Sequence, residues 1–187
     1  LSLNERIMAK YKLEACLTPS IFDRYSDPEA VVVVIDTLRA SSAICNAFAN
    51  GAESLIPVPD LEEAKRFKDK GYMVAAERDG YVQDFADFGN SPFNFTPERV
   101  RGRTIVYSTT NGTRSINQAS SCHSVVVGSF LNISSLEKWL LNQNRNVILL
   151  CAGWKVRISP EDSVFAGAMA GRMLDSGKYS RICDSVT

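Results

Sequence analysis

The sequence predicts an α/β fold, a mostly parallel sheet with helices on both faces and a long aromatic loop over the site, and three observations carry that prediction. The first is residues 31–35, four valines and Ile35 with no polar interruption, the pattern of a strand buried on both faces. The second is the alternation of such short apolar runs with helical stretches, which calls for parallel strands joined by crossover helices. The third is that the runs stop on polar chemistry: Asp36, Glu77 and the Ser-Thr-Thr-Asn-Gly turn at 108–112. In open α/β sheets ligands bind outside the carboxyl ends of the strands, where helix N-termini offer unpaired N–H groups to anions, so a site is expected there.

Composition narrows the class. A chain of 187 residues suits one domain with a substantial core. Its 21 basic and 21 acidic residues balance, which argues against nucleic acid or an anionic membrane as the main partner. No apolar run approaches a membrane span, and Asn4, Glu5 and Arg6 before Met8 do not make a signal peptide, so a cytoplasmic protein is expected. Cys16, Cys45, Cys122, Cys151 and Cys183 are odd in number and never in a Cys-x-x-Cys pair; they read as small apolar core residues rather than a disulfide framework or a zinc site. His123 is the only histidine and precedes a strand-like run, which disfavours a histidine nucleophile or a Ser-His-Asp triad.

In chain order, residues 12–17 form a first strand closed by Thr18, Pro19 and Ser20, and 31–36 form the central one. The small-residue stretch 43–49 is a helix stopped at Asn50 and Gly51. A strand at 54–58 precedes a helix opened by Asp60 with Glu63 three residues on, a capping-box spacing, and running to about residue 70. The strand 72–76 again ends on charge, at Glu77, Arg78 and Asp79.

From 80 to 98 the alternation stops. Glycines, asparagines and prolines punctuate a segment holding Tyr81, Phe85, Phe88, Phe93 and Phe95, and the aromatics argue for an ordered loop rather than disorder. Alternation resumes with a strand at 104–107, a helix at 114–119 and a strand at 124–127. Ser134 with Glu137 reads as the cap of a helix to residue 142; a strand at 147–150 follows. Ser159, Pro160, Glu161 and Asp162 open a helix to about 174, and a last strand begins after Gly177.

Several residues invite chemistry. Asp36 at a buried strand end either binds a metal, acts as nucleophile or caps the next helix; Arg39 beside it opposes the helix dipole and calls for an anionic ligand. Residues 108–114, with hydroxyls, an Asn-Gly pair and Arg114, read as a phosphate cradle. Glu77, Arg78 and Asp79 are either a solvated turn or a metal or substrate site. Glu161 and Asp162 read alone as an ordinary helix start, Asn90 as a loop hydrogen-bonder, and Lys155 and Arg157 as surface cations. Hard carboxylates without histidine or paired cysteine suit Mg²⁺. No Walker pattern and no G-x-G-x-x-G is present, nor a second aspartate two residues after Asp36, where Leu38 stands. The residues by themselves lead to an anion-binding α/β enzyme, Mg²⁺-assisted, acting on a small phosphate.

The motifs at residues 36–42 (DTLRASS), 77–78 (ER), 88–92 (FGNSP), 109–114 (TTNGTR), 128–132 (GSFLN), 151–153 (CAG) and 161–162 (ED) resemble, in identity and order, the 2-phosphosulfolactate phosphatase family. The resemblance covers nearly the whole chain. It implies a Mg²⁺-dependent phosphatase that hydrolyses (R)-2-phospho-3-sulfolactate to sulfolactate and phosphate, a step in coenzyme M biosynthesis where that pathway exists. It also moves Glu161 and Asp162 into the site. The site expected on these motifs has Asp36, Arg39 and Arg114 in catalysis. Ser41, Ser42, Arg78, Asn90, Ser91, Thr109, Thr110, Asn111, Gly112, Thr113, Ser129 and Asn132 are expected on the substrate, and Asp36, Glu77, Glu161 and Asp162 on the metal. Family members extend further than this sequence, which implies that the last strand and helix of the domain lie beyond it. Two other readings fit the same residues: a phosphatase for another small 2-phospho hydroxy acid, and a non-catalytic anion-binding domain. The partner expected is a small phosphorylated anion, with no nucleic acid and no membrane; scattered aromatics show no clean interface and leave a homo-oligomer open.

Overall fold

The computed structural model describes residues 9–155 and 157–181, and its strands fall into two sheets. The larger contains β1 (Tyr11–Cys16), β2 (Val31–Ile35), β7 (Ser124–Gly128), β8 (Val147–Cys151) and β9 (Tyr179–Arg181) in the order β7-β2-β8-β1-β9, all parallel. The smaller contains β3 (Ser54–Pro57), β4 (Met73–Arg78), β5 (Tyr81–Val82) and β6 (Thr104–Ser108) in the order β3-β6-β4-β5, with β5 antiparallel to β4. The helices are α1 (Ala40–Ala49), α2 (Leu61–Asp69), α3 (Pro97–Val100), α4 (Gly112–Gln118), α5 (Ile133–Gln143) and α6 (Pro160–Asp175). No helix among the described residues is long and apolar enough to cross a membrane.

Burial of β2 on both faces follows the prediction. Val31, Val33 and Ile35 enter one apolar cluster with Leu136 and Leu140 of α5 and Phe165, Met169 and Met173 of α6. Val32 and Val34 enter another with Phe22, Ala119 and Ile148. Each such side chain contributes roughly 1.5–3 kcal/mol on leaving water.

The division into two sheets comes from α1. After β2 the chain runs through this helix into β3, remains in the smaller sheet through β6, and returns by α4 to β7. Ala40, Ala43, Ile44 and Ala47 form the buried face of α1 and pack on Phe88, Phe95, Ile105 and Tyr107. Small side chains let that helix lie close between the two sheets. Alternation announces each strand but not the sheet it joins.

The 80–98 segment is ordered and held from below. Asp79 and Gly80 both have positive φ (53° and 87°) and close a two-residue hairpin from Arg78 to Tyr81, the geometry of a type I′ turn. Phe88 and Phe95 meet edge to face at 4.9 Å, and Phe95 lies 6.0 Å from Tyr107. The Asn46 amide donates to Pro92 O at 2.8 Å and that of Asn50 to Phe95 O at 2.6 Å. Phe88 and Phe95 therefore anchor the loop, which reaches the site through Gly80 and Asn90.

Asp60 caps α2 by accepting from Glu62 N, and Ser159 caps α6 by accepting from Asp162 N. The expected cap at Ser134 is replaced: α5 begins at Ile133 behind Asn132, and Ser134 and Glu137 instead accept from the Arg172 guanidinium on α6. Cys122 and Cys151 are core residues as expected, whereas Cys45 is half-buried. Cys183 and the N-terminal Asn4, Glu5, Arg6 and Met8 lie outside the described residues. Because Phe95 is fully buried and Phe93 is 90% exposed, Phe95→Ala is expected to lose about 3–4 kcal/mol in urea unfolding and Phe93→Ala less than about 0.5 kcal/mol.

Candidate functional site

A cavity of about 190 Å³ opens at the carboxyl ends of β2, β4, β6 and β8, so both sheets contribute to it. Asp36 and Arg39 line it from the β2–α1 turn, Glu77 from β4, Asn90 from the aromatic loop, and Thr109, Thr110 and Asn111 from the β6–α4 turn. Glu161 and Asp162 complete it from the first turn of α6.

Asp36 fills one of the roles open to it, that of helix cap. Its Oδ1 accepts from Ala40 N at 3.1 Å, which caps α1, a helix whose N-cap residue Arg39 makes no side-chain cap bond. Its Oδ2 lies beside Gly112, where an added Cβ would sit 3.0 Å from that oxygen and 2.7 Å from Ala40 Cβ. Asp36 shows part of its surface to the cavity while protein encloses the rest. Burial first, then the charges of Asp162 and Glu77, push its carboxyl up to about 7.

Glu77 and Asn90 form the framework of the wall. Glu77 is 4% exposed; its Oε1 accepts from Thr110 N (3.1 Å) and Thr110 Oγ1 (2.5 Å), and its Oε2 from Asn90 Nδ2 (3.2 Å). Asn90 Oδ1 in turn accepts from Arg39 Nη2 at 2.9 Å. One buried carboxylate thus sets the position of Thr110 and, through Asn90, of the guanidinium.

Asp162 is a joint of the same kind. Its Oδ1 accepts from Thr37 N at 2.9 Å and its Oδ2 from Gly153 N at 3.1 Å, tying the ends of β2 and β8 to α6. Burial is the main cause that raises its carboxyl above the ordinary range, against the pull of those two N–H donors. Gly153 has φ 65°, and a Cβ there would come within 2.3 Å of Arg157 O, so only glycine fits.

Several expected substrate residues are turned away from this cavity. Ser41 Oγ accepts from Asp36 N at 2.9 Å and donates to Val34 O, and Ser42 Oγ donates to Thr37 O; both hydroxyls hold the β2–α1 turn. Thr113 is fully buried and donates to Thr109 O at 2.9 Å, closing the β6–α4 turn from inside, while Gly112 is kept small by Ala40 and Asp36. Ser91 starts the short 3-10 turn Pro92–Asn94. Ser129 and Asn132 cap the β7–α5 turn through Ser129 N to Asn132 Oδ1 and Asn132 Nδ2 to Val127 O. Arg78, expected on the substrate, and Arg114, expected in catalysis beside Asp36 and Arg39, line a neighbouring cavity instead, and Lys155 pairs with Asp79 at 2.8 Å. Sequence reasoning missed Leu38, Gly80, Gly153, Trp154 and Ser159 in the lining; of these, Gly153 carried a signal as the last residue of the CAG motif at the carboxyl end of β8.

Among the described residues no group of three or more His, Cys, Asp or Glu is arranged to hold a metal unaided. Glu77 and Asp162 direct both oxygens at N–H and O–H donors, whereas Glu161 lines the cavity without such a bond among the described residues and Asp36 lines it while accepting from backbone N–H groups of the β2–α1 turn.

Residues 16–187 match the profile of the 2-phosphosulpholactate phosphatase family. The chain belongs to that family. A probable 2-phosphosulfolactate phosphatase of Caldanaerobacter subterraneus subsp. tengcongensis is 40% identical over 145 residues, covering 75% of this chain and 60% of the relative. One from Thermotoga petrophila is 40% identical over 141 residues (75% and 61%), and one from Clostridium perfringens 35% over 162 (83% and 66%). The chain thus spans a little over three-fifths of the length of these relatives. Six of the seven motifs that carry the resemblance reach the cavity: DTLRASS supplies Asp36 and Arg39, the Glu-Arg pair Glu77, FGNSP Asn90, TTNGTR Thr109 to Asn111, CAG Gly153, and the acidic pair Glu161 and Asp162, whereas GSFLN does not line it.

The raised carboxyl of Asp36 gives a stability signature. Between the ordinary 3.8 and about 7 the folded state holds a proton that the unfolded chain releases, so stability falls as pH rises through this window and stays lowered above it. Asp36→Asn escapes the cost. In metal-free buffer it is expected to melt higher than the parent by roughly 1–3 kcal/mol at pH 8, with a smaller gain at pH 5; thermal melts at the two pH values check the sign.

Proposed function

We propose that the protein to which this chain belongs hydrolyses 2-phospho-3-sulfolactate to 3-sulfolactate and phosphate, with Mg²⁺ as cofactor. One observation supports the reading above the others: four carboxylates, Asp36, Glu77, Glu161 and Asp162, surround the cavity with a single guanidinium, Arg39. A phosphoryl dianion entering such a cavity meets net repulsion unless a divalent cation enters with it. The donor set fits Mg²⁺, being oxygen throughout, and Asp36 and Glu161 are the carboxylates that would hold it; Mg²⁺ binds through one or two carboxylates plus substrate phosphate. Bound there, the ion supplies charge neutralisation at the phosphoryl oxygens.

The chain's own residues then act mainly by position and charge, as phosphoryl transfer requires. Arg39, oriented by Asn90, presents its guanidinium to the phosphoryl oxygens; Glu77, which also holds Asn90, fixes the Thr110 turn. In the net reaction an oxygen of water forms a bond to phosphorus, the bond from phosphorus to the substrate's C2 oxygen breaks, and that oxygen leaves with a proton. Asp36 either positions the water or attacks phosphorus itself, and both forms need its carboxylate. We place the activity in the cytoplasm, in keeping with thiols rather than disulfides at Cys45, Cys122 and Cys151.

Phosphate release from 2-phosphosulfolactate is the test, run with Mg²⁺ and with EDTA. Turnover is expected only with Mg²⁺; Asp36→Asn abolishes it and Arg39→Ala lowers kcat ~100-fold, the scale of a lost charge-stabilising donor. Near-normal turnover by Asp36→Asn sinks the mechanism. Equal activity on 2-phospholactate would keep the phosphatase and discard the sulfonate preference.

A further inference from the structure

A second, larger cavity of about 680 Å³ adjoins the first and shares Thr110 and Asn111 with it. Its charge is opposite. Arg78, Arg114 and Lys155 line it against one carboxylate, Asp79.

Each cation is placed differently. The Arg78 guanidinium is fixed by three bonds, from Nη1 to Glu77 O (2.7 Å) and from Nη2 to Pro59 O (2.6 Å) and Ser108 Oγ (3.0 Å). Arg114 extends from the first turn of α4, exposed and with no hydrogen bond or ion pair among the described residues. Its charge is close enough to Arg78 to depress that group's affinity for its proton, second only to burial. Lys155 Nζ reaches Asp79 Oδ1 at 2.8 Å, and Asp79 N donates to Thr110 Oγ1 at 3.0 Å, which sets this pair against the sill between the cavities.

Two guanidiniums lining one cavity repel each other, and Asp79 is already engaged by Lys155; an anion entering beside them offsets the repulsion and gains charge-assisted bonds.

We propose that the second cavity is the subsite for the substrate's non-transferred acidic group, a sulfonate or carboxylate bound by Arg78, Arg114 and Lys155, while the phosphoryl group occupies the first cavity across the Thr110–Asn111 sill. The proposal rests on the phosphatase reading and adds the division of labour: the acidic cavity reacts, the basic one selects.

The experiment compares kcat/KM for 2-phosphosulfolactate, 2-phospholactate and phenyl phosphate, which has no second acid, in the parent, Arg114→Ala, Arg114→Lys and Lys155→Ala proteins. A calorimetric titration with 3-sulfolactate accompanies it. The preference for a doubly acidic substrate over phenyl phosphate is expected to fall ~10- to 100-fold in Arg114→Ala, through KM, with partial rescue by Arg114→Lys, the scale of one charged hydrogen bond. A fall with both acidic substrates places the carboxylate in the cavity; a fall with 2-phosphosulfolactate alone places the sulfonate there. Equal losses on all three substrates, or an unchanged preference, overturn the proposal. If no phosphate ester is turned over, the phosphatase reading fails and the titration decides the subsite: 3-sulfolactate binding weakened tenfold or more by Arg114→Ala upholds it, and unchanged or absent binding overturns it.

Discussion

The arrangement of the site depends on a buried carboxylate, Asp162, used as a backbone clamp. Its two oxygens take N–H groups from Thr37 and Gly153, at the ends of the adjacent strands β2 and β8, while its own N–H is held by Ser159 at the start of α6. A charge left unpaired in that position costs several kcal/mol, so the three segments have strong reason to stay in register with one another. Glu77 does the same for the smaller sheet, gathering the β6–α4 turn and Asn90 around β4. The cavity lies between the two clamps, and its walls are as rigid as the sheets that carry them.

This explains why so much acid surrounds the cavity. Two of the four carboxylates are structural in their immediate contacts, yet the fields of both act on Asp36 and that of Glu77 also on Tyr107. Rigidity and negative potential therefore come together, and the basic cavity beyond Thr110 balances the potential at short range.

Much of this was legible in the sequence, because the carboxyl ends of parallel strands are where open α/β sheets place ligands. Asp36, Glu77 and the Thr109–Thr110 turn follow from that rule, and the burial of β2 from its unbroken valines. What composition and period do not encode is the partner of a hydroxyl. Ser41 and Ser42 stand next to Asp36 in the chain but close their own turn, and Thr113 turns inward to Thr109. Arg78 follows Glu77 directly, and alternation along β4 sends its guanidinium to the other cavity. Asp79-Gly80 carries a type I′ hairpin signal that is easily passed over inside a run of charges. The allocation of strands to two sheets rests on the small-residue face of α1 meeting Phe88, Phe95 and Tyr107, contacts far apart in sequence.

The close fit at Gly112 has a stereochemical consequence. Backbone fills the space beside Asp36 Oδ2, and Ala40 N occupies the other oxygen, so a reactant reaches this carboxylate from the cavity side alone. An approach from one side alone presents a chiral ligand and its mirror image with different fits, a constraint set by the packing of a helix against a glycine.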